Sequence, residues 1–133
     1  MATLSGDQLT SIAQQFHDLA VGVGQFRLDR IHDGFALSDP AIVQLLGLQF
    51  GLLNTSSSFA LQAAQVKLAD ADQAAAAITS ATGDAKAAIA TAGKVNKVIA
   101  IASASAVLAA AIMTGNLGEI GSAAGGIKDA IGD

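Results

Sequence analysis

Asp29, His32 and Asp33 come nearest, by type and spacing, to residues that could do chemistry in this chain. At i, i+3 and i+4 they share one face of a helix, and carboxylates with an imidazole at that spacing can grip a divalent cation. Such a site is normally completed by Glu or His from a second helix. Here Glu119 is the sole glutamate, and the other histidine, His17, lies on the same helical stretch. With too few ligands, the trio reads as a solvated helix end balanced by Arg27 and Arg30. His17 and Asp18 are sequence neighbours that do not face each other on a helix, and they are given no role.

A nucleophile would need a serine beside a base. Ser56, Ser57, Ser58, Ser103 and Ser105 all stand in charge-free stretches remote from both histidines, and no G-x-S-x-G occurs. Phosphate loops fail as well. Gly22-Val23-Gly24 lies within a helical pattern, Gly93-Lys94 lacks the glycine five residues earlier, and Gly115, Gly118 and Gly121 do not form G-x-G-x-x-G. The sequence therefore predicts a protein that is not an enzyme, with no catalytic residue, cofactor, metal or small-molecule substrate.

The elements that would position any site are helices. Ser5 or Asp7 suits an N-cap, and Leu9, Ile12, Phe16, Leu19, Val23 and Phe26 follow at spacings of three and four. That is a coiled-coil-like seam, expected to pack against another helix within the chain or in a second copy. Gly22 and Gly24 interrupt it at a cost of about 1 kcal/mol each against Ala, so their expected use is a close helix approach. Gly34 ends the helix. Ser38-Asp39-Pro40 is a strong start for the next, with Ser or Asp as cap and Pro in the first turn. From Pro40 to Val66 runs a stretch of 27 residues without a charge. Thr79–Gly83 is the expected break and Asp84 a new cap; unbroken, the helix would run on toward Met113.

The expected fold is thus all-α, a small bundle or extended hairpin of three long helices (about 7–33, 39–82 and 84–114). A short Gly-rich amphipathic helix follows, and residues 1–133 form one domain. No segment alternates clearly enough to be a strand.

The composition limits function further. Of 133 residues, 52% are hydrophobic but only 4% aromatic and 14% charged, against about 25% charged in a typical soluble domain. Small apolar side chains in a charge-poor chain favour self-association or membrane contact. The net charge of −4, with seven scattered Lys and Arg and neither Trp nor Tyr, argues against nucleic acid. Absent cysteine excludes disulfides and thiolate metal sites. The first residues, MATLSGDQLTSIAQQ, lack the basic and apolar regions of a signal peptide. The expectation is synthesis in the cytoplasm, with release or membrane association left open.

Small residues one turn apart mark faces where helices can cross closely: Gly47 with Gly51, Ala102 with Ala106 and Ala110, and Gly121 with Gly125. Val98–Leu117 is uncharged, 20 residues long and flanked by Lys94, Lys97 and Glu119, which suits a bilayer core about 30 Å thick. Val98, Ile99, Ile101, Val107, Leu108 and Ile112 would carry that span. Seven alanines and five Ser, Thr, Gly or Asn residues make it a close-packing surface first and a conditional membrane segment second.

The run ALQAAQVKLADADQAAAA (60–77) resembles in composition the Ala/Gln/Ser-rich helical subunits of bacterial R-bodies, on no specific motif. That resemblance implies a structural, assembling role. In outline, a bundle sheltering an apolar hairpin is similar to the α-helical pore-forming toxins. The leading expectation is a non-catalytic subunit of a homo-oligomer or filament. The alternatives are a membrane-active helical protein in contact with lipid, and a soluble helical adaptor.

Overall fold

The computed structural model describes residues 2–3, 6–61, 67–68, 71–114 and 117–132. Among the described residues five helices carry the fold: α1 (Gly6–His32), α2 (Pro40–Leu61), α3 (Ala71–Thr91), α4 (Val95–Thr114) and α5 (Leu117–Gly132). A ladder of two residues a side pairs β1 (Ala2–Thr3) antiparallel with β2 (Lys67–Leu68), Ala2 opposite Leu68. The helices pack around one core in the ring order α1, α2, α4, α5, α3, and α3 closes back on α1.

α1 follows its apolar spacing. Ile12, Phe16, Leu19, Val23 and Phe26 are all buried inside the chain's own core. Of the two partners open to this seam, a helix of the same chain or a second copy, the fold uses the first, because α2 and α3 cover it on either side. The side chain of Leu9 lies outside the described residues. Gly34, at φ 109°, ends the helix. Its N–H donates to Ile31 O (3.1 Å) and that of Phe35 to Arg30 O (3.1 Å). This is the Schellman pairing, in which a left-handed residue after the helix satisfies two carbonyls.

Asp39 is the cap of α2. Its Oδ1 accepts from the Ala41 N–H at 2.9 Å, while Pro40 occupies the first helical position, where no N–H is needed. Asp39→Ala is expected to lower stability by about 1 kcal/mol; the urea-unfolding midpoint, followed by circular dichroism, reads this directly.

Two expected boundaries are wrong. The helix predicted over 39–82 is two helices, since α2 ends at Leu61 and the extended pair Lys67–Leu68 intervenes before α3. Residues 62–66, where the reversal falls, lie outside the described residues. The predicted break at Thr79–Gly83 does not occur. α3 runs through it because Ala81, Thr82 and Ala85 are buried in the core while Gly83 and Asp84 face solvent. The buried Thr82 hydroxyl donates to Ile78 O (2.8 Å) in its own helix and also contacts Gln15 Oε1 on α1. Burial of one face outweighs the roughly 1 kcal/mol that Gly83 costs. The real interruption is at Ala92–Lys94, where the Ala92 N–H donates to Ile89 O (3.3 Å) in a tightened last turn.

α5 contains Gly118, Gly121, Gly125, Gly126 and Gly132. Glycines at about 1 kcal/mol each would leave such a helix unstable alone. It forms because Ile120, Ala123, Ala124 and Ile127 bury one stripe against α4 and α3.

Asp18 links α1 to α3. The Gln14 amide donates to its Oδ1 at 2.9 Å, and Lys86 Nζ lies 3.4 Å from Oδ2. The Gln14 hydrogen bond, aided by the Lys86 ammonium and opposed by partial burial, holds this carboxyl below its ordinary value. A carboxyl depressed on folding contributes stability above its unfolded value, about 3.9, and loses it as pH falls through the lower folded value. The difference in urea midpoint between the wild type and Asp18→Asn is accordingly expected to shrink on acidification below about pH 4.

Candidate interaction surfaces

The residues first considered for chemistry have other occupations. Asp33 Oδ2 pairs with Arg30 at 3.1 Å, Asp29 accepts from the Gln25 amide at 2.9 Å, and His32 is exposed. The Arg30 guanidinium stacks over the Phe26 ring, 4.8 Å from its centre. Among the described residues no three His, Cys, Asp or Glu side chains are grouped to hold a metal. Two of the serines tie backbone together: Ser56 Oγ donates to Ala13 O on α1 (2.7 Å) and Ser105 Oγ to Ile101 O (2.8 Å).

What remains is surface, and four of the exposed large apolar side chains among the described residues lie on α1 and α2. Three contacts fix these helices antiparallel. Ser56 meets Ala13, the Gln49 amide sits 2.6 Å from where a Cβ on Gly24 would be, and Arg27 Nε donates to Ile42 O at 3.3 Å. The expected close approach at Gly24 is thus a contact within the chain. At Gly22 a Cβ would meet only Ile89 Cγ2 of α3, at an ordinary 3.6 Å.

That register sets Val21 level with Phe50, and Leu28 level with Val43. On α1, Val21 and Leu28 stand three before and four after Gly24, beside the flank that meets α2. On α2, Val43 and Phe50 each follow by one residue a position that meets α1, Ile42 and Gln49. All four side chains are about half exposed, at 54%, 49%, 53% and 55% in chain order. Gly47 lies between Val43 and Phe50 with open space at its Cβ position, and Gly51 is likewise open. The glycine pair expected to receive a neighbouring helix therefore receives none within the chain. Leu37, in the connector between the two helices, is 66% exposed.

α4 divides the other expected surface. Val98, Ile101, Leu108 and Ile112 are buried, Ile99 is half-buried and Val107 is exposed. Ala102 points into the core, whereas Ala106 and Ala110 face outward. The three do not form one inward face because each four-residue step turns the side chain a further 40° or so around the helix. Ala110 and Val107 instead line an open apolar groove of about 480 Å³ between α4 and α5, floored by Ala111, Ala123 and Gly126. Val95–Met113 is long and apolar enough to cross a membrane, with a mean hydropathy of 1.9, and 44% of that window is buried in the bundle. Of the other paired glycines, Gly121 is exposed and Gly125 half-buried, each with open space at its Cβ position.

Comparison with protein-family models, with curated proteins and with solved structures finds no match to this chain. The feature that sequence reasoning missed is the placing of Val21 and Leu28 level with Val43 and Phe50. Its signal was a second apolar spacing of seven on each helix, outside the main seam.

Proposed function

We propose that this is a non-catalytic helical protein that assembles with copies of itself through the outer side of α1 and α2. The observation that carries the reading is the level arrangement of Val21, Leu28, Val43 and Phe50, half exposed on a helix pair of which α2 bears no charge. Contiguous apolar side chains in solvent are costly and are normally covered by a partner. The open positions at Gly47 and Gly51 let a second backbone approach between them. The α2 half of this surface carries no charge that would oppose a second copy. Size-exclusion chromatography with light scattering, from micromolar to hundred-micromolar protein, tests this. The expected mass is a multiple of 13.1 kDa, and a species that stays at the monomer mass throughout overturns the proposal.

A second reading is supported by α4. A helix long and apolar enough to span a bilayer, and only partly sheltered, suits a membrane-active protein that releases this segment to insert. Liposome flotation with dye release is the test. Failure to associate at any pH or lipid charge removes this reading and leaves the first intact.

A further inference from the structure

We propose that a groove at one end of the bundle binds an anionic headgroup carried on an aliphatic chain. The groove is open, with a volume of about 840 Å³, and lies between the end of α3, the start of α4 and the end of α5. Lys94, Lys97 and Lys128 line it. These are three of the seven Lys and Arg in an acidic chain, and the fold brings Lys128 to the other two from 31 positions further along. Arg30 and Lys86 have acidic partners in Asp33 and Asp18. The three groove lysines make no ion pair with a described carboxylate, and Asp84 is the one acidic residue in the lining.

Beside the lysines the lining includes the apolar side chains of Ala87, Ala88, Ala92 and Ile131, together with the Thr91 hydroxyl. Helix C-termini, which α3 and α5 present here, attract lysines on their own account. They do not call for apolar side chains lining the same groove as the cations. That combination suits an amphiphile, with its charge on the lysines and its first methylenes on the alanines and Ile131. No aromatic residue lines the groove to stack a nucleobase, so the nucleotide class is disfavoured relative to lipid. The first-turn amides of α4, which have no acceptor within the helix, are set against the negative C-terminal ends of α3 and α5, so the three lysines, not the helix ends, supply the attraction for an anion. The inference requires neither insertion of α4 nor assembly through α1 and α2.

The test has two arms, which separate a membrane lipid from a dispersed one. In the first, the full chain is floated with vesicles of phosphatidylcholine alone or with about 30 mol% phosphatidylglycerol, at low and high salt. In the second, laurate below its micelle threshold is titrated into the protein by calorimetry. Binding is expected in at least one arm, with anionic vesicles preferred over neutral ones and weakened by salt. A surface lysine contributes about fivefold to such binding, so replacing Lys94, Lys97 and Lys128 together by Gln should weaken it about 100-fold. Lys86→Gln, which removes a cation outside the groove, should change it by no more than that single-lysine factor. Circular dichroism and oligomer mass serve as controls, and both should be unchanged in the triple variant. Absence of binding in both arms, or binding that the triple variant retains, overturns the proposal. Equal losses from Lys86→Gln and the triple variant overturn it as well, since overall charge rather than the groove would then be responsible.

Discussion

Phe16→Ala is expected to destabilise the chain by about 3–5 kcal/mol, the range for truncating a fully buried aromatic residue. Phe16 is 0% exposed at the centre of the α1 seam and is the largest fully buried side chain among the described residues. Ten of the twenty-six buried apolar residues described are alanine, so the sixteen larger ones fill most of the core volume. The loss has two parts, apolar surface returned to water and a cavity that alanine neighbours on rigid helices close poorly. Against a typical total of about 5–15 kcal/mol, such a change removes about a fifth or more of the stability. Urea unfolding should show the midpoint falling by about 1 M or more. Phe50→Ala is the internal control: at 55% exposure it should move the monomer's midpoint little. A loss below about 1 kcal/mol for Phe16→Ala would mean that α1 is not the core helix.

The second large effect concerns assembly. Val43→Asp with Phe50→Asp should hold the chain at 13.1 kDa at concentrations where the wild type is oligomeric. Each substitution removes apolar surface and places a carboxylate where the proposed interface would exclude water, and an unpaired charge there is strongly unfavourable. In a two-fold assembly each change acts twice, and the dissociation constant should rise at least about 100-fold, or about 3 kcal/mol. Both positions are half exposed, so the monomer should keep its helical spectrum and most of its thermal stability. Gly47→Leu probes the same surface without charge. Its Cβ position is open in the monomer, so the added bulk should obstruct only a second copy. Ala106→Leu, outward on α4, should leave the oligomer unchanged. An oligomer indifferent to the aspartate pair and to Gly47→Leu would place the contact elsewhere.

Much of this fold was legible in the residues because the signals are local. The α1 seam, the Gly34 stop and the Asp39-Pro40 start each depend on a few neighbouring positions, and each is where its pattern put it. Helix type followed from alanine content and three-four spacing, which need no partner to be read. The charge-poor composition, the short ligand count around Asp29, His32 and Asp33, and the length and hydropathy of α4 were likewise present in the chain alone.

Other features were settled only by what packs against what. Gly83 looked like a break because glycine weakens an isolated helix, yet Ala81, Thr82 and Ala85 are buried in the core and hold it helical. The α1 seam is periodic whether its partner is a second copy or a neighbouring helix, and only tertiary structure placed it inside the chain. Gly24 and Gly47 are the same residue in similar helical settings. One meets Gln49 and the other faces open space, a difference fixed by the antiparallel register of α1 and α2. That register also brings Val21 level with Phe50, and the reversal after α4 brings Lys128 beside Lys94 and Lys97. Spacing along one helix determines which residues share a face; the neighbour of that face is a long-range relation between helices, which spacing within one helix does not encode.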